Sequence, residues 1–481
     1  MPSFPRFLML AVSTMLAAAV AGCGSTGMGG NSQPPGLTGS TVVSLLLSSS
    51  ANDHLSQFTL NFTSITLTSK SGKTVSLLTS AQNAEFIHIN GNVEPLLTVS
   101  VPQDDYTSAS AVIASSGFVC IDLNSTGGLQ TNTSSPGAVP VSSVTINLPS
   151  PITISGPHMG LLLNLQVSSS ISYPSCDTLA FGPDSVTPTF TLTPVTFAAQ
   201  PTNSGNGRAN DMEGVVGSVD PMARSIQVTA ADGLSWSLNT SGVTVFQGVS
   251  DFSAVTPGMP VSLDAAIQSD GSLLATRVAV QDTNTQTLTT SSGPLLFVAS
   301  SLPAMFAFGT QEQGRLVAGG PAPYSFGNAI FAISGEVSNL QSLPFPASFT
   351  GVNMVAGQKI YLTTHAPTVA GGPLYSPAAT MTLVPQTLDG MVTAVSNDGG
   401  FATYTISLAP YDLFADLAVQ AGQTSLLQNP NTVVVYVDSS VQMLNSTSLA
   451  VGSTLRFYGL VFNDNGTLKM DCAQIADGVT Q

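Results

Sequence analysis

The sequence predicts an all-β protein: an N-terminal antiparallel β-sandwich followed by three small β-barrel-like, OB-like repeats. Three observations carry this expectation. Short apolar runs alternate with polar residues at period two, as in Leu161, Leu163, Leu165 and Val167. Between residues 41 and 195 no segment sustains a 3.6-residue period over three turns, and Pro/Gly turns separate the runs. The C-terminal half repeats itself, with Asp-Gly or Asn-Gly dipeptides at matching places.

Residues 1–22 read as an export signal. Arg6 supplies a short positive region, and Phe7 to Val20 form an apolar run too short to span a bilayer comfortably. The next residues, Val20-Ala21-Gly22-Cys23, resemble a bacterial lipobox, with valine where leucine is commonest. The resemblance implies a mature chain that starts at Cys23 and carries a diacylglyceryl group, usually with an added N-acyl chain. Two or three acyl chains anchor durably where one does not, at about 0.8 kcal/mol per buried methylene. An ordinary cleaved signal with an incidental cysteine is the alternative. Gly24 replaces the aspartate associated with inner-membrane retention, which points to the outer membrane. Residues 23–40, rich in Gly, Ser and Pro, read as a flexible tether.

From 41 to 195 the alternation marks the sandwich. Phe58, Leu60 and Phe62 share one parity, while Ile65 and Leu67 take the other, so a bulge is predicted near Thr63-Ser64. Ser71-Gly72 separates this run from Val75-Ser76-Leu77 as a hairpin turn. The strand–hairpin–strand from Phe58 to Leu77, with Leu96-Leu97, Val101-Pro102 and Tyr106, resembles domain-of-unknown-function family 4382 of bacterial envelope lipoproteins. Asp104-Asp105 stands where that family commonly has glycine, a change that turn geometry tolerates. The resemblance implies a fold and an address, not a chemistry.

Residues 196–212 read as a linker. Repeat one (213–283) opens with Gly214-Val215-Val216, and repeat three (388–481) with Gly390-Met391-Val392. Each has a glycine ahead of an apolar strand (Gly258, Gly452), a tight turn (Asp270-Gly271, Asn465-Gly466) and a closing strand. Asp232-Gly233 and Asp398-Gly399 mark further hairpins. The divergent repeat two (284–387) keeps Gly335-Glu336-Val337 and the strand around Gly357-Gln358-Lys359. These units resemble domain-of-unknown-function family 5666, which occurs in tandem in exported bacterial proteins. Closure into small barrels would remove exposed sheet edges.

Composition excludes some partners. Charged residues make up only 7% of the chain, the net charge is −16, and Lys and Arg together number 10. Nucleic-acid binding needs clustered basic residues, and none lies between Lys73 and Arg208. The predicted membrane contact is therefore the lipid anchor, not a basic surface. With Cys23 assigned to lipid, a Cys120–Cys176 disulfide fits an oxidising compartment and leaves Cys472 a lone thiol. Such a loop would add about 4 kcal/mol in the chain-entropy model. Three buried thiols are the alternative.

No catalytic, cofactor or metal motif stands out. His54, His88, His158 and His365 lack a second ligand at metal spacing and read as surface or turn residues. Asp104-Asp105 and Asn463-Asp464-Asn465-Gly466 read as turns rather than calcium loops. Trp236 is the only tryptophan, and its alternating strand points to core packing rather than a sugar platform. The expectation is a non-enzymatic, lipid-anchored envelope protein whose tandem β-domains are spacers and surfaces for an envelope protein or glycan. A carbohydrate-binding or polysaccharide-processing accessory and a hydrolase with an inter-domain site are the alternatives.

Overall fold

Four large β-sheets built from period-two segments carry the described chain, with a two-stranded ribbon, Gln311–Glu312 and Arg315–Leu316, beside them. The computed structural model describes residues 37–50, 57–86, 88–89, 92–123, 129–133, 142–170, 187–197, 206–230, 232–283, 288–299, 305–308, 311–312, 315–316, 322–336, 340–365, 376–409, 412–419, 426–444 and 449–476. Cys23 and Cys176 lie outside the described residues, as do the export signal, His54 and nearly all of the tether. Cys120 falls in the strand Asp104–Leu123, but its side chain is likewise outside them, so neither the anchor nor the disulfide is in view.

The N-terminal sheet has eleven strands. Its main path runs from Thr74–Ser76 through Gln57–Ser69, Asp104–Leu123, Ser142–Asn147, Phe190–Val195, His158–Gln166 and Ser40–Ser50 to Glu94–Pro102. Most pairings are antiparallel. Two are parallel, Ser40–Ser50 with His158–Gln166 and Phe190–Val195 with Ser142–Asn147. The predicted bulge is present: Phe62 pairs with Ile113 and Ser64 with Val112, which leaves Thr63 extra. That insertion is why Phe58, Leu60 and Phe62, then Ile65 and Leu67, are all fully buried despite the change of parity. Phe62, Phe86 and Phe190 meet with ring centroids 5.7–6.3 Å apart and bring distant strands into one core.

The three barrels share one connectivity. Barrel one uses Arg208–Asp220, Ser225–Thr229, Ser235–Asn239, Val245–Gln247, Pro260–Ile267 and Leu273–Val280. Neighbours run third, second, first, fifth, last, and the third strand returns to pair the last in parallel, closing five strands into a barrel. The short fourth strand adds to the last in parallel. Barrel two (Leu288–Ala299 to Ser376–Leu383) and barrel three (Gln386–Asp398 to Thr467–Ala476) repeat this order, including the parallel closure.

Glycine fixes one shared feature of the barrels. Gly258, Gly357 and Gly452 have φ of 92°, 96° and 91°, a region that disfavours side chains. Each N–H donates to the first strand of its own barrel, at Val216, Leu295 and Val392, over 2.7–2.8 Å. Register also corrects one reading. The counterpart of Gly214 and Gly390 in barrel two is Gly293, since these pair with Val261, Leu455 and Ile360. Gly335-Glu336 instead follows the fourth strand, Ile330–Ile333. The first strand of barrel one begins at Arg208, inside the stretch read as linker.

Packing joins these sheets in pairs. One buried apolar cluster runs from the sandwich into barrel one. A second joins barrels two and three, where Phe345 lies 4.9 Å from Tyr436 and 5.8 Å from Phe462. Among the described residues no helix is long and apolar enough to cross a membrane.

Candidate functional site

Charges are scarce in this chain, yet several converge where the three barrels meet. On the fifth strands, Leu263, Leu362 and Phe457 point into their barrels and are buried. The next residue along, Asp264, Thr363 or Tyr458, therefore points out of its barrel. Its partners across the hairpin are Arg277, Thr380 and Gln474. Barrel one thus presents an ion pair at the rung where barrel three presents a tyrosine.

Glu336 of barrel two ties them together. Its Oε1 accepts from Arg277 Nη1 at 2.5 Å, from Tyr458 Oη at 2.9 Å and from Ser262 Oγ at 3.3 Å. Its Oε2 accepts from Gln281 Nε2 at 2.8 Å. Arg277 also grips Asp264 through Nε at 2.8 Å and Nη2 at 3.1 Å. A second cross-barrel pair joins Lys359 Nζ to Glu213 Oε1 at 2.6 Å. Barrels one and three are joined by Arg208 Nη2, which donates to Gln442 Oε1 at 2.5 Å.

Electrostatics here follow burial and pairing. Burial works against the Arg277 charge, but Asp264 and Glu336 outweigh it and hold the guanidinium ionised. Burial would push Asp264 up, and Arg277 holds it below the usual carboxylate range instead. Lys359 is likewise kept charged against burial by Glu213 and Asp211. Asp211 goes the other way. Burial, then Glu213 and Glu336, push its carboxyl up to about 7. It sits on an irregularity between Ala209 and Met212, at φ 55°, where its own N–H donates to Asp264.

Two cavities flank this hub. One, of about 400 Å³, is walled by all three barrels, with Val215, Val261, Tyr361 and Val384 giving apolar surface and Glu213 and Glu336 the charge. The other, of about 310 Å³, holds Arg208, Asp264 and Arg277 in its wall. Glu336 and Tyr458 line both and form the partition between them.

A smaller cluster lies in the sandwich beside barrel one. His88 lies in a turn, as the sequence reading allows, but it is largely shielded and paired with two carboxylates rather than free at the surface. Its Nδ1 meets Glu85 at 2.8 Å and its Nε2 meets Glu94 at 2.7 Å. Burial opposes protonation, but the two carboxylates outweigh it and raise His88 well above its ordinary value. Asp232, from a hairpin of barrel one, is pushed up to about 6 by burial and then by Glu94. Nearby, Trp236 is 4% exposed and donates from Nε1 to the Pro95 carbonyl at 2.8 Å, so it offers no open ring face for a sugar.

Of the two turn candidates only the second is a turn: Asp104-Asp105 opens the strand Asp104–Leu123 and pairs with Thr153 and Ile154. Asp105 accepts from Thr153 Oγ1 at 2.6 Å. Asn465 and Gly466 form a two-residue hairpin loop with φ of 52° and 88°, and Asp464 pairs with Lys469 at 2.7 Å. Cys472 is a buried free thiol, raised by its burial. Among the described residues no group of three or more His, Cys, Asp or Glu has metal-holding geometry. A scan against protein-family models finds no match, and a search of curated proteins finds none either.

Proposed function

We propose that this protein is a lipid-anchored component of a bacterial cell envelope, non-enzymatic, whose sandwich and three barrels form a stiff spacer that presents interaction surfaces. The carrying observation is that the buried charges at the junction are paired across barrel boundaries: Arg277 and Tyr458 on Glu336, and Lys359 on Glu213. A network of this kind fixes the angles between modules, as a spacer requires. Val20-Ala21-Gly22-Cys23 supports the anchor, and the resemblance to envelope lipoprotein domains supports the address. The outer membrane is favoured over the inner, from Gly24.

Two measurements test this reading. Intact-mass analysis of the mature protein should show an acylated Cys23, and Cys23→Ala should release the chain from membranes. An unmodified N-terminal residue on a protein that washes off freely would overturn the anchor. Proximity labelling should return reproducible envelope neighbours for the anchored protein. A neighbour set identical to that of Cys23→Ala would overturn the spacer role.

A further inference from the structure

We propose that the 400 Å³ cavity at the junction of the three barrels is a binding site for a small organic cation, an amine carried on a compact apolar body. The inference goes beyond the spacer role and does not depend on the lipid anchor. Size is the first ground, since small-molecule pockets span roughly 300–1,000 Å³ and combine apolar walls with a few placed polar groups. Val215, Val261, Val384 and the two tyrosines, Tyr361 and Tyr458, supply the walls.

Charge is the second ground. The lining contains two carboxylates, Glu213 and Glu336, and no lysine or arginine. The cations that balance them, Lys359 and Arg277, are not part of this wall, and Arg277 lines the other cavity. The only charged side chains in the wall of the larger cavity are therefore carboxylates. Glu336 Oε2 accepts from Gln281 alone, itself a lining residue, so this oxygen retains acceptor capacity for an ammonium N–H. Tyrosine faces add a favourable quadrupole for a cation. An anion of the same shape would touch Glu213 and Glu336 but neither Lys359 nor Arg277, whose charges are already taken up by these carboxylates. The Asp211 carboxyl, raised first by burial, is raised further by Glu213 and Glu336, against the opposing pull of Lys359 and Arg277.

Val215 lines the cavity and is 46% exposed, so it marks the cavity's solvent-facing side. This residue makes the test independent of the buried network. Isothermal titration of the purified full chain with 4-phenylbutylamine should give saturable one-to-one binding. The isosteric 4-phenylbutyrate should bind at least about tenfold more weakly, as expected when a charge-assisted hydrogen bond is replaced by repulsion. Ser292→Phe, which fills the cavity, and Val215→Arg, which places a bulky cation on its solvent-facing side, should each abolish amine binding. Val215→Arg alters an exposed side chain, so it keeps the test decisive if Ser292→Phe does not fold. Equal binding of amine and carboxylate, unchanged binding in a folded Val215→Arg protein, or no saturable heat with the amine would each overturn the proposal.

Discussion

At the scale of single residues, Glu336 and His88 carry the largest consequences. Glu336 is 5% exposed and accepts four hydrogen bonds, all of them from other barrels or their flanks. Glu336→Gln keeps the shape but leaves Arg277 with less compensation, and breaking one partner of a buried pair costs about 3–5 kcal/mol. Chemical denaturation should show a loss of that size. His88 is the mirror case. Removing its charge in His88→Gln leaves Glu85 and Glu94 facing each other in a buried site, so a similar loss is expected, seen in the same measurement. Neither residue stood out in the sequence, because histidine and glutamate in turns look ordinary one at a time. A usable signal did exist. In a chain with 10 basic residues, Arg277 and Lys359 interrupt apolar strands, and a charge there needs a buried partner.

At the scale of elements, glycine separates backbone strain from crowding. Gly452 at φ 91° has nothing within 4 Å of an added Cβ, so Gly452→Ala tests conformation alone and should cost about 1–2 kcal/mol. At Gly357, with φ 96°, the same methyl would also lie 2.8 Å from the Phe414 ring. Gly357→Ala should therefore destabilise more than Gly452→Ala, and paired thermal melts would show the order. Much at this scale was legible. The slip at Thr63, the turn at Gly72 and the repeated glycine before the fifth strand all follow from parity and backbone freedom. Barrel two was harder. Its first strand carries Gly293 among serines and threonines, while Gly335-Glu336 imitates a repeat opening. Equivalence in a barrel is set by cross-strand register, which local sequence does not display.

At the scale of the whole molecule, the buried acids set how stability follows pH. Asp211, Asp232 and Asp412 are raised to about 7, 6 and 8, the last by burial and then by Asp389. A carboxyl raised on folding binds its proton in the folded state before the unfolded chain does. Its contribution is fully present below the unfolded value of 3.8 and is lost as pH rises through the folded one. His88, also raised, acts in the same sense, while lowered Asp264 loses its contribution only as pH falls below the ordinary carboxylate range. The unfolding midpoint should therefore be higher near about pH 5 than near about pH 8.5. Asp211→Asn should flatten part of that slope, and asparagine tolerates the φ of 55° found there. The meeting of barrels at Glu336 could not be read from the chain in advance, because it depends on how three closed units orient, not on any one unit's pattern.

The indole of Trp236 bonds across the seam between sandwich and barrel to the Pro95 carbonyl. Because the chain has no second tryptophan, its emission spectrum is a built-in optical gauge of that seam. A red shift at denaturant levels that leave the far-ultraviolet dichroism unchanged would signal modules parting while their strands stay folded.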